Sequence, residues 1–320
     1  GWREFADGIK GMKAGHKVGV CYAMKANSNL AVLQTFAEAG CGFDIVSGGE
    51  LDRVIAAGGD VGKVVFSGVG KTRAEMKLAL EAGVRCFNVE SEAELIRINK
   101  VAGRLGKKAP IAIRVNPNVD AGTHEKISTG KAENKFGVPI DMAPALYARM
   151  CALPGLDPVG LTVHIGSQIT DLAPLEEAFL KMRGLVQRLR GEGLHVERLD
   201  LGGGLGVPYF NMPTPATPAD YAAMIARTMQ GLDVEFAFEP GRMIAANAGI
   251  LLSRVQHIHE RPEGRKFAVL DAAMNDLIRP AMYDAYHDIR PVKPRPGPAV
   301  TYDVVGPICE TGDTFTRDRD

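Results

Sequence analysis

The chain has 320 residues, 46 % of them hydrophobic, and its 38 basic side chains balance its 38 acidic ones. That size can bury a substantial core, and the charge balance gives no footing for nucleic acid or an anionic membrane surface. No apolar run approaches the ~20 residues that span a bilayer, no signal-peptide pattern opens the sequence, and five scattered cysteines without a CxxC pair read as reduced thiols of a cytoplasmic protein.

Trp2 to Met12 reads as a helix entered part-way, and the charged stretch TRDRD at the other end closes no element, so both ends read as cut. From Val18 to about Ala245, eight β-like runs alternate with helix-length segments. The runs are VGVCYAMK, GFDIVS, KVVFSG, RCFNVES, IAIRVNP, GLTVHIG, RLDLGGG and VEFAFEPG. Each carries consecutive apolar or β-branched residues, as expected of strands buried on both faces. Between them lie candidate helices such as LAVLQTFAEAG, ELDRVIAAGG and EAELIRINKVAGRLG, several ending at a C-capping glycine.

Three strand-to-helix joints repeat one device. Ser47 with Glu50, Thr72 with Glu75, and Ser91 with Glu94 fit the S/T-x-x-E capping box. Eight strands in such a ladder predict a (β/α)8 barrel of the TIM type over residues 1–248. The competing open doubly wound sheet needs GxGxxG after its first strand, and here that strand leads into KANSN. After about Ile250 the runs ILLSRVQHIHE, RKFAVLDA and TYDVVGP, with the Pro-rich connector RPVKPRPGP, predict a second, β-rich domain over 249–320.

Catalytic groups of such a barrel sit at the C-terminal ends of its strands. Lys25 follows the first run, His164 ends the sixth, Gly202, Gly203 and Gly204 end the seventh, and Glu239, Gly241 and Arg242 end the eighth. Each has an ordinary reading on its own: a lysine snorkelling to solvent, a core histidine, a tight turn, a Glu239–Arg242 salt bridge. Together they meet the needs of pyridoxal 5′-phosphate (PLP). Lys25, partly desolvated and so more easily deprotonated, would condense with the aldehyde. The glycines would hold the phosphate, His164 would stack on the ring, and Glu239 would keep the ring nitrogen protonated, which favours decarboxylation. The tempting metal motif HIHE, His257 to Glu260, sits on a predicted strand without further ligands and is set aside; HEKISTGKAENKFG reads as an ordered loop near the cofactor.

The motifs YAMKAN, HIGSQ, LDLGGGLG, EPGR, RPAMYDAYH and GPICETGD resemble, in order, those of the diaminopimelate decarboxylase family, fold-type III PLP enzymes, from about residue 18 to 313. The resemblance implies an alanine-racemase-like barrel followed by a β-domain. It places the PLP lysine on Lys25 and further cofactor contacts on His164, Ser167, Gly203, Gly204, Glu239, Gly241 and Arg242. Substrate contacts fall on Arg242, Arg279, Tyr283 and Glu310, and Cys309 becomes the proton donor. It also implies a homodimer whose Cys309–Glu310 pair enters the partner's site. The implied reaction is decarboxylation of meso-2,6-diaminopimelate to L-lysine, in lysine biosynthesis. The alternatives are a related decarboxylase for ornithine, arginine or carboxynorspermidine, and a non-catalytic PLP-binding relative.

Overall fold

The computed structural model describes residues 1–320 apart from 15–16, 124–127, 132, 211–212 and 295. Two compact units emerge: residues 1–207 with 215–248, and residues 249–320 with 208–214.

The first unit is a closed parallel barrel. Its strands are β1 (Val18–Ala23), β2 (Gly42–Ile45), β3 (Val64–Phe66), β4 (Cys86–Val89), β5 (Ala109–Asn116), β7 (Leu156–Val163), β8 (Arg198–Asp200) and β9 (Glu235–Phe238). Each pairs in parallel with its sequence neighbour, and β9 closes the ring on β1 through Val18↔Phe236 to Val20↔Phe238. A two-residue strand, β6 (Val138–Pro139), adds to β5 outside the ring.

Strand side chains alternate between two faces, and this barrel sorts them by size. Tyr22, Phe43, Ile45, Phe66, Phe87, Phe236 and Phe238 join one large cluster with helix residues such as Leu33, Leu51, Met76 and Leu95. Cys21, Val65, Cys86, Ala112 and Val159 form a separate small cluster. The runs therefore carry large apolar residues outward to the helices and small or polar ones inward. Both faces are buried, as consecutive apolar residues predict, but the inner face is not uniformly apolar.

The helices include α1 (Trp2–Gly8), α2 (Leu30–Glu38), α3 (Gly48–Ala56), α4 (Arg73–Ala82), α5 (Glu92–Arg104), α6 (Ala143–Ala152), α7 (Ala173–Gly191), α8 (Pro218–Thr228) and α9 (Arg242–Ala245). Among the three predicted capping boxes only Thr72–Glu75 is reciprocal. Ser47 and Ser91 each accept the N3 amide as expected, but Glu50 and Glu94 reach one residue further back, to the amides of Val46 and Glu90. A further reciprocal box, Thr217–Asp220, opens α8 with aspartate in place of glutamate.

The second unit is a four-stranded sheet in the order β10 (Val255–Glu260), β11 (Lys266–Leu270), β12 (Tyr302–Val305) and β13 (Thr314–Arg319). The outer pairs are antiparallel and β11–β12 is parallel. Strand β10 is shorter than the predicted run ILLSRVQHIHE, and residues 249–254 form no strand. It is an edge strand, exposed along its length, and carries His257 to Glu260. A short helix, α10 (Arg279–Tyr283), interrupts what reads as an all-β segment. No described helix is long and apolar enough to cross a membrane.

Candidate active site

The barrel's C-terminal rim gathers the predicted groups of the first unit. Lys25 lies in the short turn Met24–Ala26 that ends β1, just past Ala23, whose N–H donates to the carbonyl of Pro240 at 3.1 Å. That bond ties the lysine turn to the EPGR loop. Lys25 Nζ donates to Asp44 Oδ2 at 3.1 Å. Asp44 is buried on β2, and its Oδ1 has no partner among the described residues. The lysine side chain remains 58 % exposed. The neighbouring Asp44 carboxylate, reinforced by Glu239, holds its ammonium above the ordinary lysine range despite desolvation. The expectation of an easily deprotonated amine is therefore reversed. Burial works as supposed, but the carboxylate beside the amine outweighs it.

Glu239 follows β9 and is fixed by Asn88 of β4. The Asn88 amide donates to Glu239 Oε1 at 3.1 Å and to Ser67 Oγ at 3.1 Å. Burial, then the charges of Asp200 and Asp44, push the Glu239 carboxyl well above the carboxylate range. Asp200, at the end of β8, is pushed up to about 6, chiefly by burial. The ordinary alternative for Glu239, a salt bridge to Arg242, does not form: Arg242 Nη1 instead donates to Gln168 Oε1 at 3.0 Å.

His164 follows β7. Its Nδ1 accepts from the N–H of Gly203 at 3.3 Å, which leaves the ring proton of a neutral imidazole on Nε2. Burial, with Arg114 and Lys25 nearby, holds it well below its ordinary range. A neutral flat ring at the rim suits stacking against a cofactor. Ser167 lies three residues further on, next to Gln168, which adopts φ +60°. Gln168 Nε2 donates to the Val207 carbonyl at 2.6 Å, and its Oε1 accepts from the Val207 N–H at 3.2 Å. The HIGSQ, GGGLG and EPGR loops thus meet on one side chain.

The glycine run is required first by backbone proximity. A Cβ on Gly203 would stand 2.2 Å from the Glu239 carbonyl oxygen, and Gly204, at φ +116°, would place one 2.5 Å from that of Gly166. Neither the Gly204 nor the Gly241 N–H donates to an acceptor among the described residues. These two donors, one in each of the last two βα loops, fit an anionic phosphate. An amine, a carboxyl group fixed by an amide, a neutral imidazole and two unspent loop N–H groups together match what PLP requires.

In the second unit, Arg279 opens α10 and Tyr283 ends it. Cys309 and Glu310 are exposed in the turn between β12 and β13. Asp313 shapes that turn: its carboxylate accepts from the N–H groups of Ile308 at 2.8 Å and Met274 at 2.7 Å. His124 to Ile127 and Ala132, from the loop expected near the cofactor, lie outside the described residues.

Asp44, Asn88, Arg114, Asp200 and Gln168 were missed by sequence reasoning. Arg114 pairs with Glu90 at 3.1 Å and faces the Phe136 ring at 4.8 Å. Four of the five share a signal, a polar residue inside an otherwise apolar strand, as in GFDIVS, RCFNVES, IAIRVNP and RLDLGGG.

Residues 5–246 match the family described as pyridoxal-dependent decarboxylase, pyridoxal binding domain. The diaminopimelate decarboxylase of Vibrio cholerae serotype O1 is 57 % identical over 302 residues, covering 94 % of this chain and 72 % of that protein. That of Pseudomonas aeruginosa is 55 % identical over 319 residues, covering 100 % and 75 %. The crystal structure of diaminopimelate decarboxylase from Helicobacter pylori complexed with L-lysine superposes with a TM-score of 0.93 at 42 % identity, covering 99 % of this chain and 78 % of that one. The chain belongs to the PLP-dependent decarboxylases, and within them to the diaminopimelate decarboxylase family.

Proposed function

We propose that this protein removes one carboxylate of meso-2,6-diaminopimelate to give L-lysine and CO2, with PLP as cofactor. The observation that carries the reading is the convergence of Lys25 and Glu239 at one barrel mouth, each within the other's electrostatic reach. It is supported by a relative named for that reaction at 57 % identity and a relative solved with L-lysine.

PLP, when bound, supplies an electron sink for the pair released as CO2 departs. Lys25 is the amine that would hold its aldehyde, and Asp44 keeps that amine placed and protonated until it is needed. Gly203, Gly204, Gly241 and Arg242 would hold the phosphate. Glu239, aimed by Asn88, would hold a proton at the ring nitrogen. His164 and Ser167 would border the ring. Arg242, Arg279 and Tyr283 would grip the substrate's distal head group, where a guanidinium fork matches a carboxylate. Glu310 would meet the distal ammonium, and Cys309 Sγ would return a proton to the α carbon.

The assembly we infer is a homodimer in which each subunit lends Cys309 and Glu310 to the other's site. All five cysteines are free, in keeping with a cytoplasmic setting. The test is turnover of meso-diaminopimelate, ornithine and arginine by the PLP-loaded protein, with its mass in solution measured alongside. Preference for diaminopimelate, visible cofactor absorbance lost in Lys25→Ala, and a dimeric mass are expected. Equal or better turnover of ornithine or arginine would overturn the substrate assignment, and CO2 release from no basic amino acid would overturn the activity.

A further inference from the structure

Arg279 is held by two other residues of its own unit. Its Nη1 donates to Tyr209 Oη at 2.7 Å and lies 3.0 Å from His287 Nε2. The guanidinium carbon stands 5.0 Å from the centre of the Tyr209 ring. The Tyr209 and His287 rings meet edge to face at 6.1 Å. Arg279 Nε is buried and has no partner among the described residues.

Donor chemistry fixes the protonation of this group. A guanidinium has only donors and stays charged at any working pH. The short contact to His287 is therefore a hydrogen bond only if Nε2 accepts, which makes the imidazole neutral with its proton on Nδ1. With Nη1 occupied by a phenol and an imidazole, the Nε–Nη2 edge is the one left to take a carboxylate side-on. A buried, unspent Nε is what such an edge needs.

We infer that His287 and Tyr209 are positioning residues that orient Arg279 toward the substrate's distal carboxylate. This rests on the assignment of Arg279 to that carboxylate made above. Protonation of His287 replaces an acceptor with a second cation facing the guanidinium, so substrate binding weakens in acid. Charged and titratable groups beside His287 among the described residues include Arg279 of α10, Tyr209 of the segment 208–214, and its chain neighbours Tyr286 and Asp288. The last two are engaged by Arg319 of β13, and Asp288 also by Arg290.

The experiment measures KM and kcat for meso-diaminopimelate in the PLP-loaded protein. It also measures affinity for L-lysine, which keeps the distal carboxylate, and for 1,5-diaminopentane, which has the same skeleton without it. His287→Leu is expected to raise KM and weaken L-lysine about ten- to a hundredfold, the worth of a charge-assisted hydrogen bond. The kcat and the affinity for 1,5-diaminopentane stay near those of the parent. Tyr209→Phe, which keeps the ring, gives a smaller change of the same kind. His287→Gln restores an acceptor at the Nε2 position that cannot be protonated, so KM recovers and its rise through the imidazole pH range disappears. If L-lysine and 1,5-diaminopentane weaken together, His287 is only structural and the inference fails. If Arg279→Gln leaves KM unchanged, the assignment beneath it fails. If Arg279→Gln raises KM while the His287 and Tyr209 variants do not, the positioning role alone is wrong. Should His287→Leu not fold, Tyr209→Phe decides by the same two ligands.

Discussion

The ammonium of Lys71 is fully buried, and its three donors are spent on Glu94 Oε1 and on the carbonyls of Gly68 and Asn88, each at 2.7 Å. Glu94 in turn accepts from the Glu90 N–H at 2.9 Å. In Glu94→Leu the two carbonyls remain, but the carboxylate paired with this ammonium is gone. Breaking a buried pair from one side costs about 3–5 kcal/mol, and the stranded Glu90 N–H adds about 1 kcal/mol. The sum, about 4–6 kcal/mol, is a large part of the 5–15 kcal/mol that holds a typical protein together. Trp2, the only tryptophan, sits in the barrel unit against Phe36, so its fluorescence in a urea titration follows that unit alone. With a slope of about 3 kcal/mol per molar, the midpoint should fall by about 1.3–2 M. The double variant Lys71→Met, Glu94→Leu removes both charges and should recover most of the loss. The reasoning is refuted if the double variant is as unstable as the single one. It also fails if Glu94→Leu costs no more than breaking the exposed pair Arg188–Glu192, roughly 0.5 kcal/mol.

Because the Asp200 carboxyl is raised from 3.8 to about 6, the folded protein binds the proton more tightly than the unfolded chain. The resulting stability is complete below pH 3.8 and is lost as pH rises through about 6; unfolding of the PLP-free protein from pH 5 to 8 should show the last part of this loss, about 1.4 kcal/mol, and Asp200→Asn should flatten it. Gly203→Ala forces a Cβ against the Glu239 carbonyl oxygen, 2.2 Å away, so a PLP titration should show weaker binding along with a loss of about 1–3 kcal/mol in stability. Glu239→Gln keeps the Asn88 contact through its amide oxygen but cannot hold a proton for the ring nitrogen, so decarboxylation in a CO2-release assay should fall about 10²- to 10³-fold while Trp2 fluorescence still reports a folded barrel.

The barrel was legible because its strand-to-helix joints carry local signals: β-like runs throughout and a capping serine or threonine opening α3, α4, α5 and α8. Lys25, His164, Gly203 and Glu239 were legible by position, since chain order fixes which residues end the strands. Their electrostatic state was not. Whether Lys25 is easily deprotonated depends on Asp44, 19 residues along and on a different strand, and that partnership exists only once β1 and β2 lie in register with Ala23 beside Asp44. The partner of Arg242 was hidden for a related reason: Gln168, 74 residues away, offers it an acceptor that a three-residue spacing from Glu239 cannot reveal. The run read from sequence as reaching back to Ile250 overextended β10 because apolar residues at 250–252 look like strand, although no described strand pairs with them.

Seen as charges, the barrel mouth holds two pairs and a remainder. Lys25 is matched by Asp44 and Arg114 by Glu90. Asp200 and Glu239 are left facing each other, both raised, with the Asn88 amide donating to Glu239 and the Gly202 N–H donating to Asp200. Two buried carboxyl groups at close range cannot both ionise cheaply, so the pair retains a proton where an isolated carboxyl would release it. On the proposed reading, a protonated ring nitrogen would bring this pair a further positive charge. On that account the raised pKa of Glu239 and its fitness to keep a pyridine ring cationic have the same origin, a surplus of acid walled in by the barrel. Asp200, which need touch neither cofactor nor substrate, contributes as much to that surplus as Glu239 itself.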